Sequence, residues 1–196
     1  MGRAEGGAER DRTPTRIRRE VADLGPGDHA CLTHLGDDER KAALSVYLRQ
    51  GLAAGERVLW IVDAPTVREI RSYLRHAGGA IRDAEQRGQL IFLTPDQAYL
   101  REGAFDPHRM VALLRQETQR ALDDGFTGLR VTGEMTGAQV GPPGSERLIE
   151  FEELLTAFFP GTACTGLCQY DARRFPPETL RDVRRTHPIV ISLTHA

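Results

Sequence analysis

Residues 27–34 read GDHACLTH, placing two imidazoles, His29 and His34, and one thiol, Cys31, within six residues. Imidazole and thiolate are the usual ligands of zinc, and a thiol also supports redox chemistry. The stretch reads as a strand, so its side chains alternate between faces. His29, Cys31 and Thr33 then share one face, and Leu32 and His34 the other. His29 and Cys31 lie near the amino end, His34 near the carboxyl end. Two ligands do not fill a tetrahedral site. The other thiols, Cys164 and Cys168, lie four residues apart in one apolar run. On an unbroken strand they stand about 13 Å apart, too far to grip one ion. The residues alone therefore lead us to expect no metal and no cofactor within one protomer. Two roles stay open: Cys31 and Cys168 as small core residues with His29 in a structural hydrogen bond, or one of these groups lining a ligand pocket.

A second set of polar residues closes apolar runs. Glu134 ends GLRVTGEM, and Gln169, Tyr170 and Asp171 end CTGLCQYD. Both runs read as strands, and their carboxyl ends lie on one sheet edge. In parallel α/β sheets, ligands bind outside that edge. Glu134 is either a site acid there or a loop acid paired with an arginine. The expectation is that His34, Glu134 and Tyr170 converge on one crevice.

The elements that position these groups alternate strictly. HACLTHL, RVLWIVD, QLIFLT, GLRVTGEM, CTGLCQYD and PIVISLT read as strands. Between them stand amphipathic stretches over 37–55, 65–79, 106–125, 145–159 and 176–187. Asp106 and Pro107 form an N-cap and first-turn pair, with Gly125 as the stop. Such alternation gives a mostly parallel sheet with helices on both faces, a single three-layer α/β/α domain. Residues 1–20 are rich in Gly, Arg and Glu and are expected to be a disordered tail, with the domain over 21–196.

The 196 residues suit one domain, and the net charge of −2 offers no pull toward nucleic acid or an anionic membrane. Lys41 is the only lysine beside 25 arginines, and there is no Asn, which we read as codon bias. No apolar run is long enough to span a bilayer, and the charged N-terminus lacks a signal-peptide core. A cytoplasmic protein is expected. A phosphate loop would read G-x-x-x-x-G-K-[ST] after the first strand. Here GDDERKA stands at 36–42, with Lys41 where the second glycine belongs and Ala42 where the lysine belongs. Asp37, Asp38 and Glu39 suit a helix N-terminus but repel a triphosphate. Magnesium–ATP is therefore expected to bind no tighter than about millimolar.

GDHACL, LRQGLAAGERVLWIVD, QLIFLTPDQAYLREGAFDPHRM, GLRVTGEM, FPG and LCQYDARRFPPETLRDVRRTHPIVI together resemble the MEDS domain, the methanogen/methylotroph DcmR sensory domain, over about residues 24–194. The resemblance implies a RecA/KaiC-like fold without the phosphate loop, and the sensing of hydrocarbon derivatives or related small molecules. In a five-strand sheet of that kind the first strand lies between the fourth and fifth. The family's motif positions carry over to His29, Cys31, Glu134, Cys168, Gln169, Tyr170, Asp171, His187 and Pro188. Many relatives have an aromatic residue where this chain has His34, then an acid where it has Leu35.

The leading expectation is a non-catalytic sensory or regulatory domain. Its ligand candidates are His29, Cys31, His34, Glu134, Cys168, Gln169, Tyr170, Asp171 and His187. It would bind a small molecule, with Glu134 and Gln169 as polar anchors, and signal through a regulatory protein partner. That partner is a sensor kinase, an anti-sigma factor or a transcription regulator. Homodimerisation is a further route, and direct contact with nucleic acid or membrane is not expected. The first alternative is a thiol-based redox or metal-responsive switch on Cys31 and His29. The second is a residual hydrolase or NTPase with Glu134 as base, disfavoured by the missing phosphate loop.

Overall fold

The computed structural model describes residues 12–62, 67–68, 70–71, 80–98, 100, 103–135 and 143–192. The described elements are α1 (Arg12–Ala22), β1 (His29–His34), α2 (Asp37–Ala53), β2 (Arg57–Ile61), α3 (Ala80–Gln86), β3 (Leu90–Leu93), α4 (Pro107–Asp123), β4 (Leu129–Glu134), α5 (Leu148–Phe158), β5 (Cys164–Asp171), α6 (Pro177–Thr186) and β6 (Ile189–Ser192). Most of the helix expected over 65–79 lies outside the described residues. Only Val67, Arg68, Ile70 and Arg71 of it are described, all helical.

The six strands form one sheet in the order β3-β2-β4-β5-β1-β6, and every pairing is parallel. β1 lies between β5 and β6, not between the fourth and fifth strands as expected, because β4 pairs directly with β5. β1 and β5 are buried at every position, as parallel strands covered on both faces must be.

Each face has its own core. On the first, Leu59, Val131, Cys31 and Cys168 meet Met110 and Leu114 of α4, Phe151 and Leu155 of α5, and Val183 of α6. On the second, Ala30, Leu32, Val58 and Trp60 meet Ile17 and Val21 of α1 and Leu44, Tyr47 and Leu48 of α2. The caps follow the sequence. Asp106 accepts hydrogen bonds from the backbone N–H groups of His108 (3.0 Å) and Arg109 (3.3 Å), with Pro107 in the first turn.

Of the tail expected over 1–20, residues 1–11 lie outside the described residues, and from Arg12 onward the chain differs from it. Arg12–Ala22 is a helix, and Ile17 and Val21 are buried together with Leu24 beyond its end. Three apolar residues at spacings of four and three make a stripe, and docking on α2 supplies what the arginine-rich helix lacks alone. The second departure is at Ser145, where a 3₁₀ turn over Ser145–Arg147 precedes the α-helix that starts at Leu148.

Candidate functional site

Alternation along the strands divides the sequence-derived candidates between the two faces. His29, Cys31, Cys168 and Tyr170 face α5 and α6. His34, Glu134, Gln169 and Asp171 face the α2 side. The single crevice expected for His34, Glu134 and Tyr170 is therefore not formed. The register pairs Thr33 with Tyr170 and His34 with Asp171, so adjacent residues of β5 point to opposite sides.

On the α2 side several of the polar groups pair with one another, while the His34 ring nitrogens and Gln169 Oε1 find no hydrogen-bond partner among the described residues. Arg40, in the first turns of α2, reaches Glu134 at 3.3 Å, and Glu134 keeps 24% of its side chain exposed. This is the arginine-paired arrangement. Gln169 is fully buried and donates to Thr132 Oγ1 at 2.8 Å, which in turn donates to the Leu167 carbonyl at 2.7 Å. Asp171 is chelated by Arg173 at 2.6 and 2.9 Å. The Arg173 hydrogen bonds hold its carboxyl down at about 2, against a smaller upward push from burial.

The opposite face carries a denser constellation. His29 at the start of β1, Cys168 in β5, Glu152 in α5 and His187 just after α6 converge, with ligand-type atoms all within 4.8 Å of one another. Glu152 Oε2 lies 3.3 Å from His29 Nε2 and 3.2 Å from His187 Nε2. Cys168 Sγ lies 3.6 Å from both His29 Nε2 and Glu152 Oε2. Tyr170 donates its hydroxyl proton to Glu152 Oε1. All four residues are buried, Glu152 and the two imidazoles almost completely.

The far sides of both imidazoles are fixed. His187 Nδ1 lies 2.7 Å from the Val183 carbonyl, which can only accept, so Nδ1 carries a proton. His29 Nδ1 lies 2.9 Å from Thr156 Oγ1, whose own proton goes to the Thr186 carbonyl at 2.5 Å. The His29 Nδ1 is then the donor, and both Nε2 atoms face the centre. Phe159 stacks on the His29 ring at 4.9 Å between centroids and 18° between planes. Burial pushes the Glu152 carboxyl up, and only imidazoles protonated at Nε2, His187 and His29, outweigh it and hold the group below the usual carboxylate range. Burial lowers His29. Burial raises Cys168, and the nearby Glu152 charge raises it further. Cys31 and Cys164 are pushed up to about 12, chiefly by burial. Buried thiols of this kind are poor nucleophiles.

An apolar cavity adjoins the cluster. It lies between β2, β4 and β5 and the helices α4 and α5, walled by Ile61, Met110, Leu114, Met135, Leu155 and the Cys168 thiol among others. Its volume is about 30 Å³. At ~10–15 Å³ per water, it suits a guest of two or three heavy atoms.

A sequence profile of the MEthanogen/methylotroph, DcmR Sensory domain matches residues 28–188. The chain belongs to the MEDS family. The transcriptional repressor DcmR of Methylorubrum extorquens is 29% identical over 191 residues, which cover 94% of this chain and 68% of that protein. Among solved structures, the flagellar accessory protein FlaH of Methanocaldococcus jannaschii superposes with a TM-score of 0.53 at 13% identity, covering 96% of this chain and 80% of FlaH. The KaiC-like protein PH0186 of Pyrococcus horikoshii OT3 gives 0.54 at 13% identity, covering 85% and 71%. These likenesses establish the RecA/KaiC-like α/β fold. Family membership and the repressor relative establish a regulatory, sensory class of domain. Among the described residues no helix is long and apolar enough to cross a membrane.

Of the MEDS positions carried over from the sequence, His29, Cys168 and His187 meet in one cluster, with Tyr170 beside it. Sequence reasoning missed Glu152, Thr156 and Phe159. One signal was available for Glu152. In LIEFEELLTAFF it occupies the helical stripe of Leu148, Phe151 and Leu155, where a carboxylate is out of place unless paired. The expectation of only two ligands, His29 and Cys31, also changes. Cys31 is outside the group of four, and Glu152 and His187 join His29 and Cys168.

Proposed function

We propose that this MEDS domain senses a small, weakly polar molecule in the apolar cavity beside Cys168 and passes its occupancy to a regulatory protein partner. The observation that carries the reading is a small cavity with largely apolar walls that is lined in part by Cys168, a member of the cluster. Such a site favours a compact guest of one or two carbons over a nucleotide. Glu134 and Gln169, expected from sequence as polar anchors, lie across the sheet and are not part of it. A guest that stabilises one packing of α4 and α5 on the sheet shifts the population of the surface those helices present.

The chain supplies its own probe. Its three methionines are Met1, Met110 and Met135, and the last two line the cavity. In protein carrying ¹³C-methyl methionine, titration with methanol, ethanol or a halomethane is expected to shift the Met110 and Met135 methyl resonances saturably and leave Met1 unmoved. Equal, unsaturating drift of all three methyls with every probe would remove the cavity as the sensory site.

A further inference from the structure

We infer that His29 Nε2, His187 Nε2, Glu152 Oε2 and Cys168 Sγ form a binding site for one divalent metal ion of the zinc type. Three independent features of the cluster lead to it.

The first is spacing. Zinc bonds of about 2.05 Å to N or O and about 2.3 Å to S put tetrahedral ligand atoms about 3.3–3.4 Å apart, and about 3.5–3.6 Å apart where sulfur takes part. Four of the six edges match: 3.2 and 3.3 Å for the two N–O edges and 3.6 Å for Cys168 Sγ to His29 Nε2 and to Glu152 Oε2, while the two remaining edges, both to His187 Nε2, lie within 4.8 Å. Hydrogen bonds among the same groups would not require all four ligand atoms to gather within 4.8 Å of one another.

The second is proton supply. Both imidazoles spend their Nδ1 protons on outer partners, Thr156 and Val183. Their Nε2 atoms then turn lone pairs toward Glu152 Oε2, itself an acceptor. His187 Nε2 is buried and makes no hydrogen bond despite its 3.2 Å approach. A single extra proton could join one imidazole to the carboxylate and would leave the other lone pair facing an oxygen. A cation at the centre satisfies all of them at once. A carboxylate and a thiolate also balance two positive charges, so the loaded site is neutral in its buried setting.

The third is the outer shell. Metal-bound histidines donate their remaining N–H to a fixed acceptor, and metal-bound carboxylates are hydrogen-bonded in turn. Here Thr156, Val183 and Tyr170 fill those three places. A set of nitrogen, oxygen and sulfur ligands selects zinc over magnesium or calcium. The cavity wall at Cys168 puts the metal-bound sulfur within reach of a small guest. The metal site itself does not depend on the sensory reading.

The test uses the full chain, expressed with zinc in the medium and purified without chelator. Elemental analysis is expected to give one zinc per chain. Exchange with Co²⁺ is expected to give the intense visible bands of a tetrahedral ion and a near-ultraviolet thiolate-to-cobalt band. Cys168→Ser should abolish the near-ultraviolet band while tetrahedral cobalt is still bound. Thr156→Val, which touches no ligand atom directly, should weaken zinc binding 10–100-fold. A folded wild-type protein that takes up less than about a tenth of an equivalent of zinc or Co²⁺ would overturn the site. So would stoichiometric cobalt without a thiolate band, an observation on the wild type that stands even if a variant fails to fold. A failed methionine titration with zinc bound would count against the cavity and not against the metal.

Discussion

His34 shows what one buried side chain does to acid stability. It is 1% exposed, and neither ring nitrogen has a hydrogen-bond partner among the described residues. Burial pushes its pKa down from 6.5 to about 4. Arg40 and Arg173 add to that, and Asp171 and Asp37 oppose it. As pH falls below 6.5, the unfolded chain takes up a proton at His34 that the folded chain refuses. The stability tied to the neutral ring is complete above pH 6.5 and drains away as pH falls toward 4. The full loss is on the order of 3 kcal/mol. Urea unfolding of wild type and His34→Phe between pH 7 and 4.5 is the measurement. The variant is expected to lose stability less steeply over that range. Parallel curves would assign the acid limb to other groups.

At the scale of elements, the arrangement around His29 depends on a residue without a side chain. Gly166 of β5 sits opposite His29 in the register, and a Cβ there would overlap the Phe159 ring. The missing side chain lets Phe159, just past α5, lie on the sheet and stack on the His29 ring. Gly166→Ala forces that ring away, at a cost of about 1–3 kcal/mol for overpacking. It is expected to lower the Tm and to release the His29 ring from its stack, visible as a change in its imidazole NMR signals. An unchanged Tm with unchanged signals would mean that the contact is slack. This dependence was hidden in the sequence because it joins residues 29, 159 and 166 through tertiary packing. What a local pattern encodes was legible: the six strands, the Asp106–Pro107 cap and the division of His29 and Cys31 from His34 across β1. What needs two distant elements was not. The buried Glu56–Arg130 pair, with Arg130 over the Tyr47 ring at 4.7 Å, shows the same limit. Each residue alone reads as a surface charge. The α1 stripe failed for a different reason, because its three apolar residues are diluted among arginines and its helix depends on docking.

At the scale of the whole molecule, one sheet serves two separate polar systems. The first face holds the cluster and the cavity. The second carries the α2 N-terminus, where a phosphate-binding relative of this fold would hold its nucleotide. Here that end is acidic in its first turn, with Asp37, Asp38 and Glu39, and Gly36 caps it through no side chain. Arg40, a cation that could meet a phosphate, is engaged by Glu134 at 3.3 Å and lies 3.9 Å from Asp37. A triphosphate brought to this edge meets three carboxylates before any free donor, and the helix dipole is already complemented. Calorimetry with magnesium–ATP is therefore expected to show a Kd no tighter than about 1 mM, roughly −4 kcal/mol. Glu134→Gln removes one competing charge and is expected to leave that affinity in the same weak range, since the acids of α2 remain. Micromolar binding by the wild type would show that the acidic turn rearranges to admit phosphate.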